Sequence, residues 1–155
     1  MRHIEFGPLP AGHHLDDPAD FPQTLRDALE QLDSYFAGAR KDFDLPLDMS
    51  GVATDFQRRV YEQLLAVEYG HVVSYGELAA AVGGRRLARA VGQAVGANPI
   101  PIIIPCHRVV GAGGRLTGFG GGLPAKIALL RLEGVDVDGT RPTSKVRPTV
   151  IPLDL

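Results

Sequence analysis

Pro105-Cys106-His107-Arg108-Val109-Val110 holds the only cysteine of the chain, and a histidine follows it directly. A thiol is the natural soft nucleophile for attack on carbon, but the thiolate is the reactive form. A free thiol with a pKa of about 8.5 is mostly protonated at neutral pH, so it needs a base. His107 is the candidate base by adjacency, acting through a bridging water. Adjacency alone says little, because neighbouring residues on a strand point to opposite faces. A lone cysteine is also often a small buried hydrophobe. A catalytic reading rests on the whole surrounding block together with matching features elsewhere in the chain. Asn98-Pro99 lies upstream, the apolar run Ile102-Ile103-Ile104 leads in, and Phe119 opens the glycine run Gly120-Gly121-Gly122.

The chain that must position these groups has 155 residues, 45% apolar and 22% charged, enough to bury one good core. No apolar run is long enough to span a bilayer, and Met1 to Phe6 carries no signal-peptide hydrophobic region. One cysteine cannot form an internal disulfide, and a reactive thiol needs a reducing compartment, so a cytoplasmic location is expected. His3 and His13-His14 have no cysteine near them, and no metal site or other cofactor is expected.

The formal net charge is −2, yet the charges are segregated. From Leu78 to Leu132 there is no Asp or Glu, while Arg85, Arg86, Arg89, Arg108, Arg115, Lys126 and Arg131 fall in that stretch. Such a segment can meet phosphates while the whole chain stays near neutral.

Residues 1 to 20 read as loop or weak strand. The spacing of Leu25, Ala28, Leu29, Leu32 and Phe36 predicts a helix from Thr24 to Ala37. Phe43, Leu45 and Leu47 alternate in an extended crossing segment, with a domain boundary near Ser50-Gly51. Phe56 to Val67 is the next predicted helix. Ser74 and Glu77 fit a capping box that opens a short helix ending at Gly83-Gly84. A second helix runs from Arg86 to Gly96, and the pair makes a helix-turn-helix. Pro124 and Gly134 bracket a last helix, Ala125 to Glu133. Residues 135 to 155 read as an extended or partly disordered surface tail. The predicted fold is a shortened α/β N-terminal region (1–50) followed by a mostly α-helical domain (51–155) with a winged-helix-like helix-turn-helix.

Several blocks together resemble the O6-alkylguanine-DNA alkyltransferase family over roughly Leu32 to Gly134. They are Tyr35-Phe36-x-Gly38, Phe56-Gln57-x-x-Val60, Ser74-Tyr75-Gly76-Glu77-Leu78-Ala79 and Ala88-Arg89-Ala90-Val91-Gly92. Asn98-Pro99, Pro105-Cys106-His107-Arg108-Val109 and Gly118-Phe119-x-Gly121-Gly122 follow, with Leu129-Leu130 and Glu133-Gly134. The resemblance implies repair of O6-alkylguanine, and of O4-alkylthymine, in double-stranded DNA by a monomer that is alkylated once and irreversibly. Cys106 is then the acceptor, His107 the base and Glu133 its orienting carboxylate. Tyr75 would contact the flipped guanine and its phosphate, and Asn98 would brace the turn into the active-site block. Val109, Phe119 and Gly120 would line the substrate pocket. Arg89 would replace the extruded base, with Arg86, Ala88, Ala90, Gln93, Arg108 and Arg115 along the DNA, and the small residues would let the helix enter the minor groove. Phe119 stands where many relatives have Tyr, Gly120 where Ser or Ala is common, and the N-terminal region is shorter than usual. Two other classes compete: a lesion-binding protein without transfer, which Cys106 argues against, and a cysteine hydrolase, for which Cys-His adjacency is unusual.

Overall fold

The computed structural model describes Met1, Ile4, residues 21–140 and residues 144–147; the loop or weak-strand reading of residues 2–3 and 5–20, and the tail reading of 141–143 and 148–155, lie outside the described residues. Helix α1 spans Gln23–Phe36, one residue earlier at each end than its apolar spacing predicts. Helix α2 spans Asp55–Leu65 and starts on Thr54, whose hydroxyl accepts from the Gln57 amide at 3.1 Å. Helix α3 spans Tyr75–Val82, and both halves of the predicted capping box form. The Glu77 amide donates to Ser74 Oγ at 3.2 Å, and Glu77 Oε2 accepts from the Ser74 amide at 2.8 Å.

Gly83 (φ 141°) and Gly84 (φ 131°) turn the chain in a region closed to side-chain-bearing residues. A 3-10 turn at Arg85–Leu87 then leads into helix α4, Ala88–Gly96. The predicted single helix from Arg86 is thus split, with its first residues more tightly wound. Helices α2, α3 and α4 enclose the main core, to which Val60, Tyr61, Leu64, Leu78, Ala79, Val91 and Ala94 contribute. The Tyr61 hydroxyl, inside that core, donates to the Ala94 carbonyl at 3.0 Å and so ties α2 to α4.

Two short strands, β1 (Val73–Ser74) and β2 (Val109–Val110), pair in parallel, with Val73 opposite Val109 and Ser74 opposite Val110. This pairing sets the segment that holds Cys106 directly beside the start of the helix-turn-helix. Among the described residues no strand precedes Val73. The crossing segment with Phe43, Leu45 and Leu47 packs as extended chain on the main core. It is tied to α1 by a two-way bond: Gln31 Nε2 donates to the Asp44 carbonyl at 2.9 Å, and the Asp44 amide donates to Gln31 Oε1 at 2.8 Å.

Helix α5 spans Gly122–Leu132, beginning three residues before the predicted start, so that Pro124 lies inside its first turn. It closes on Gly134 (φ 79°), with the Gly134 amide bonded to Arg131 and the Val135 amide to Leu130. The segment after it corrects the surface-tail expectation. Val135, Val137 and Val146 are buried with Val110, Leu116, Ile127 and Leu130 in a second core. Isolated bridges join Val137 to Val146 and Arg115 to Lys145. The alternating valines give this short polar stretch one apolar face, and burying that face outweighs its polar composition.

Candidate active site

The segment from Asn98 to Val110 is shaped by backbone bonds that its own side chains complete. Asn98 Nδ2 donates to the Ile104 carbonyl at 2.8 Å, while its Oδ1 accepts from the Ile100 amide at 3.0 Å. The turn inside this brace carries Ile102 at φ 75°, a left-handed conformation that a β-branched residue rarely adopts. Strain of this kind persists only where the surroundings fix it. Here the Asn98 amide, the Ile104-to-Ile100 backbone bond and burial of the Ile102 side chain do so.

Cys106–Arg108 forms a 3-10 turn rather than a strand. Successive side chains therefore fan out around the turn instead of alternating between two faces. Cys106 lines a cavity of about 380 Å³ together with Ile4, Val95, Asn98, Pro101, Phe119 and Gly120. His107 lies fully buried beneath it, and its Nε2 is 2.9 Å from Glu133 Oε1. Its Nδ1 is the one buried side-chain nitrogen or oxygen without a hydrogen-bond partner among the described residues.

Glu133 is the hub of this arrangement. Burial by itself would raise its pKa, but the hydrogen bonds and charges of His107 and Arg108 outweigh that and hold it at about 2. It is an anion at every working pH. Burial, partly opposed by Glu133, holds His107 below its ordinary value and therefore neutral. A neutral imidazole facing a carboxylate must carry its proton on Nε2, which leaves Nδ1 as a lone-pair acceptor. Burial also pushes the Cys106 thiol up; a hydrogen bond from Asn98 and the charge of Lys126 pull the other way. The resting thiol is thus protonated.

Arg108 corrects one expectation. It does not face outward toward DNA: its guanidinium is buried, with Nη2 2.8 Å and Nε 3.0 Å from the two carboxylate oxygens of Glu133, and its Nη1 donates to the Val67 carbonyl. A buried cation must find a counter-charge, and Glu133 is the carboxylate that reaches it. Lys126 is also buried rather than part of a basic surface. Its Nζ donates to the carbonyls of Val109 at 2.5 Å and Thr117 at 3.4 Å, and burial lowers its pKa to about 8. Nothing in the chain's spacing marked Lys126 as a site residue; its place in an otherwise apolar stretch of the last helix, Ala125-Lys126-Ile127-Ala128-Leu129, was the available signal.

The other candidate residues lie in several places. Asn98, Phe119 and Gly120 meet at the cavity, and the Phe119 ring stands edge-on to His107 with centroids 6.4 Å apart. Val109 has its side chain in the core, so only its main chain can reach a ligand. Tyr75 does not line the cavity; its hydroxyl accepts from Thr117 Oγ1 at 3.2 Å, and its ring lies over Gly92. Arg86, Arg89 and Gln93 are exposed along one side of the 3-10 turn and α4, with Ala88 and Ala90 half-buried among them. Arg115 is exposed on a separate loop.

Helix-turn-helix, buried Glu-His pair and cavity-lining thiol together define a cysteine-based DNA-acting protein. Residues 55–135 match the DNA-binding domain of 6-O-methylguanine DNA methyltransferase, and residues 1–49 match its ribonuclease-like domain. The chain belongs to this family. It is 53% identical over 121 residues to the methylated-DNA--protein-cysteine methyltransferase of Mycobacterium tuberculosis (strain ATCC 25618 / H37Rv), covering 78% of this chain and 70% of that protein. The counterpart in Methanosarcina barkeri (strain Fusaro / DSM 804) is 43% identical over 136 residues, covering 86% of this chain and 84% of that one. Among solved structures, the M. tuberculosis OGT in complex with DNA matches with a TM-score of 0.67 and 55% identity, over 70% of this chain and 66% of that chain.

Proposed function

We propose that this protein repairs duplex DNA by moving the alkyl group of O6-alkylguanine onto Sγ of Cys106, once per molecule. The observation that carries this reading is the cavity-lining thiol backed by the buried His107–Glu133 pair. The names of the similar proteins, and the DNA in the M. tuberculosis complex, support the substrate class.

The chemistry follows from the site. His107 Nδ1 accepts the Cys106 proton through one water, and Glu133 holds the ring in the tautomer that allows it and stabilises the imidazolium. Sγ then attacks the O6-bound alkyl carbon; the S–C bond forms as the C–O bond breaks, and the electron pair stays on the guanine. The proton that left the thiol ends on the guanine base, so atoms and charge balance with no co-reactant. A thioether offers no easy leaving group, so the reaction stops after one turnover. Lys126, beside Cys106 and bound to the Val109 carbonyl, favours the thiolate. The Val109 main chain meets the guanine, and Tyr75, outside the cavity lining, meets it at the mouth together with its phosphate.

A stacked base must first leave the duplex, at a cost of a few kcal/mol. Arg89, exposed near the start of α4, fills the gap. Arg86, Gln93 and Arg115 meet the backbone, and the small residues Ala88 and Ala90 let α4 approach the minor groove. The protein acts as a monomer, with the domain boundary near Ser50-Gly51. It needs its thiol reduced, which suits the cytoplasm. No described helix is long and apolar enough to cross a membrane.

The test is intact mass after incubation with duplex DNA carrying O6-methylguanine. One added CH2, on the peptide holding Cys106 and absent from Cys106→Ala, is the expected result. Binding without mass gain would favour a lesion-binding protein, and repeated turnover would overturn the single-acceptor scheme.

A further inference from the structure

The carboxylate that orients His107 has another donor, supplied from far away in the chain. Tyr35, near the end of α1, is fully buried, and its hydroxyl donates to Glu133 Oε1 at 2.7 Å. This is the same oxygen that His107 Nε2 approaches at 2.9 Å and Arg108 Nη2 at 2.8 Å. The other oxygen is held by Arg108 Nε at 3.0 Å and by the Gly70 amide at 3.3 Å.

Building on the alkyl-transfer reading, we propose that Tyr35 is a positioning residue of the acceptor site. Its phenol shares Glu133 Oε1 with His107 and thereby sets how strongly that carboxylate attracts the imidazole proton. Negative charge spread over several donors holds a neighbouring N–H less tightly. With the phenol in place, His107 stays neutral to lower pH and remains able to take the thiol proton. The N-terminal region is then part of the catalytic relay.

The geometry supports a fixed, permanent donor. The Tyr35 ring is held edge-on to Phe36 and Tyr69, with centroids 5.5 and 6.1 Å away, and tilted against Phe43 at 5.3 Å. Ile102 and Leu129 are buried in the same cluster. Burial and the adjacent Glu133 charge push the phenol's pKa far up, so it does not ionise in the working range. Arg108 and Lys126 oppose protonation of His107, and Cys106 precedes it in the same turn. Tyr69 donates its own hydroxyl to the Leu132 carbonyl at 2.8 Å rather than to Glu133.

The experiment compares the full chain with Tyr35→Phe, and with 3,5-difluorotyrosine placed at position 35 alone. The phenylalanine keeps the ring and removes the donor; the fluorinated phenol is a stronger donor of nearly the same shape. His107 is titrated by nitrogen NMR, and single-turnover transfer from O6-methylguanine DNA is followed against pH. The His107 pKa and the acid limb of the rate should order as phenylalanine above tyrosine above difluorotyrosine. The first step should be about half a pH unit, which is about threefold in rate on that limb. A common loss at every pH, or no ordered movement of the His107 pKa, would overturn the proposal, and the difluorotyrosine arm decides it if the phenylalanine variant does not fold. Wild-type protein that fails to accept methyl would sink the alkyl-transfer reading instead, while the His107 titration would still judge Tyr35.

Discussion

Lys126 Nζ, carried by α5, sits 2.5 Å from the carbonyl oxygen of Val109, three residues beyond Cys106. A cation buried this deeply, with its pKa lowered to about 8, is still mostly charged at neutral pH and pulls the Cys106 pKa down. Lys126→Met removes that charge. Its thiol should titrate about one pH unit higher, and alkyl transfer near neutrality should slow about tenfold, since each unit is a factor of ten in thiolate. Raising the pH should recover the rate. Iodoacetamide labelling of Cys106 against pH reads the same shift without DNA, and superimposable profiles for the two proteins would rule the role out.

The Glu133–Arg108–His107 cluster makes stability depend on pH. Glu133 titrates near 2 in the folded protein against an ordinary 4.5. A depressed carboxylate stabilises the fold fully above about pH 4.5, and that contribution is lost as the pH falls toward 2. Glu133→Gln leaves the Arg108 guanidinium buried without a counter-charge, so it should cost about 3–5 kcal/mol at pH 7. The gap between variant and wild type should shrink below pH 4.5. Urea unfolding at a series of pH values measures it, and a gap independent of pH would contradict the ion-pair account.

The arginines should separate into two kinds. Arg86 and Arg89 are exposed, so Arg86→Ala or Arg89→Ala should change stability by less than about 0.5 kcal/mol. A lost phosphate contact lowers the salt slope of duplex binding by about 0.9. Arg108→Ala should do the reverse, unfolding more easily with the salt slope unchanged. Arg89→Ala should also slow repair of duplex more than reaction with free O6-benzylguanine, because only the duplex needs a base extruded. Equal losses on both substrates would remove Arg89 from the extrusion step.

Gly120 borders the cavity, and a Cβ built there meets nothing within 4 Å. The missing side chain leaves room beside the alkyl group for a ring, with Pro101 and Phe119 as apolar walls. O6-benzylguanine should therefore alkylate Cys106. Gly120→Ser should react with it more slowly while losing no stability, since its backbone is not in the left-handed region. A faster benzyl reaction in the serine variant, seen by intact mass in competition with methylated DNA, would show that loop ordering rather than space limits the pocket.

The features legible in the sequence were those that local rules fix. The helices followed from apolar spacing, the Ser74–Glu77 box from two residues three apart, and the α5 stop from Gly134. The candidate site block was legible because its cysteine, histidine and asparagine lie within ten residues of one another, where a turn can join them. Glu133 came from resemblance, since nothing in its own neighbourhood separates it from a surface helix residue.

Other features depended on which way a side chain turns once distant segments meet. Arg108 read as a phosphate contact because it sits in an acid-free stretch, yet the 3-10 turn sends it inward to Glu133, 25 residues on. Lys126 read as surface charge, yet α5 packs it under β2. Val135, Val137 and Val146 read as tail, yet together they close a second core. The bond from Tyr35 to Glu133 spans 98 residues and exists only because α1 docks beside the end of α5. The sequence by itself determined the elements and the compact block around the one cysteine, because periodicity, capping and turn chemistry act over a few residues. Tertiary structure decided which charges are buried and what they partner, because desolvation and pairing depend on every segment that closes around a group.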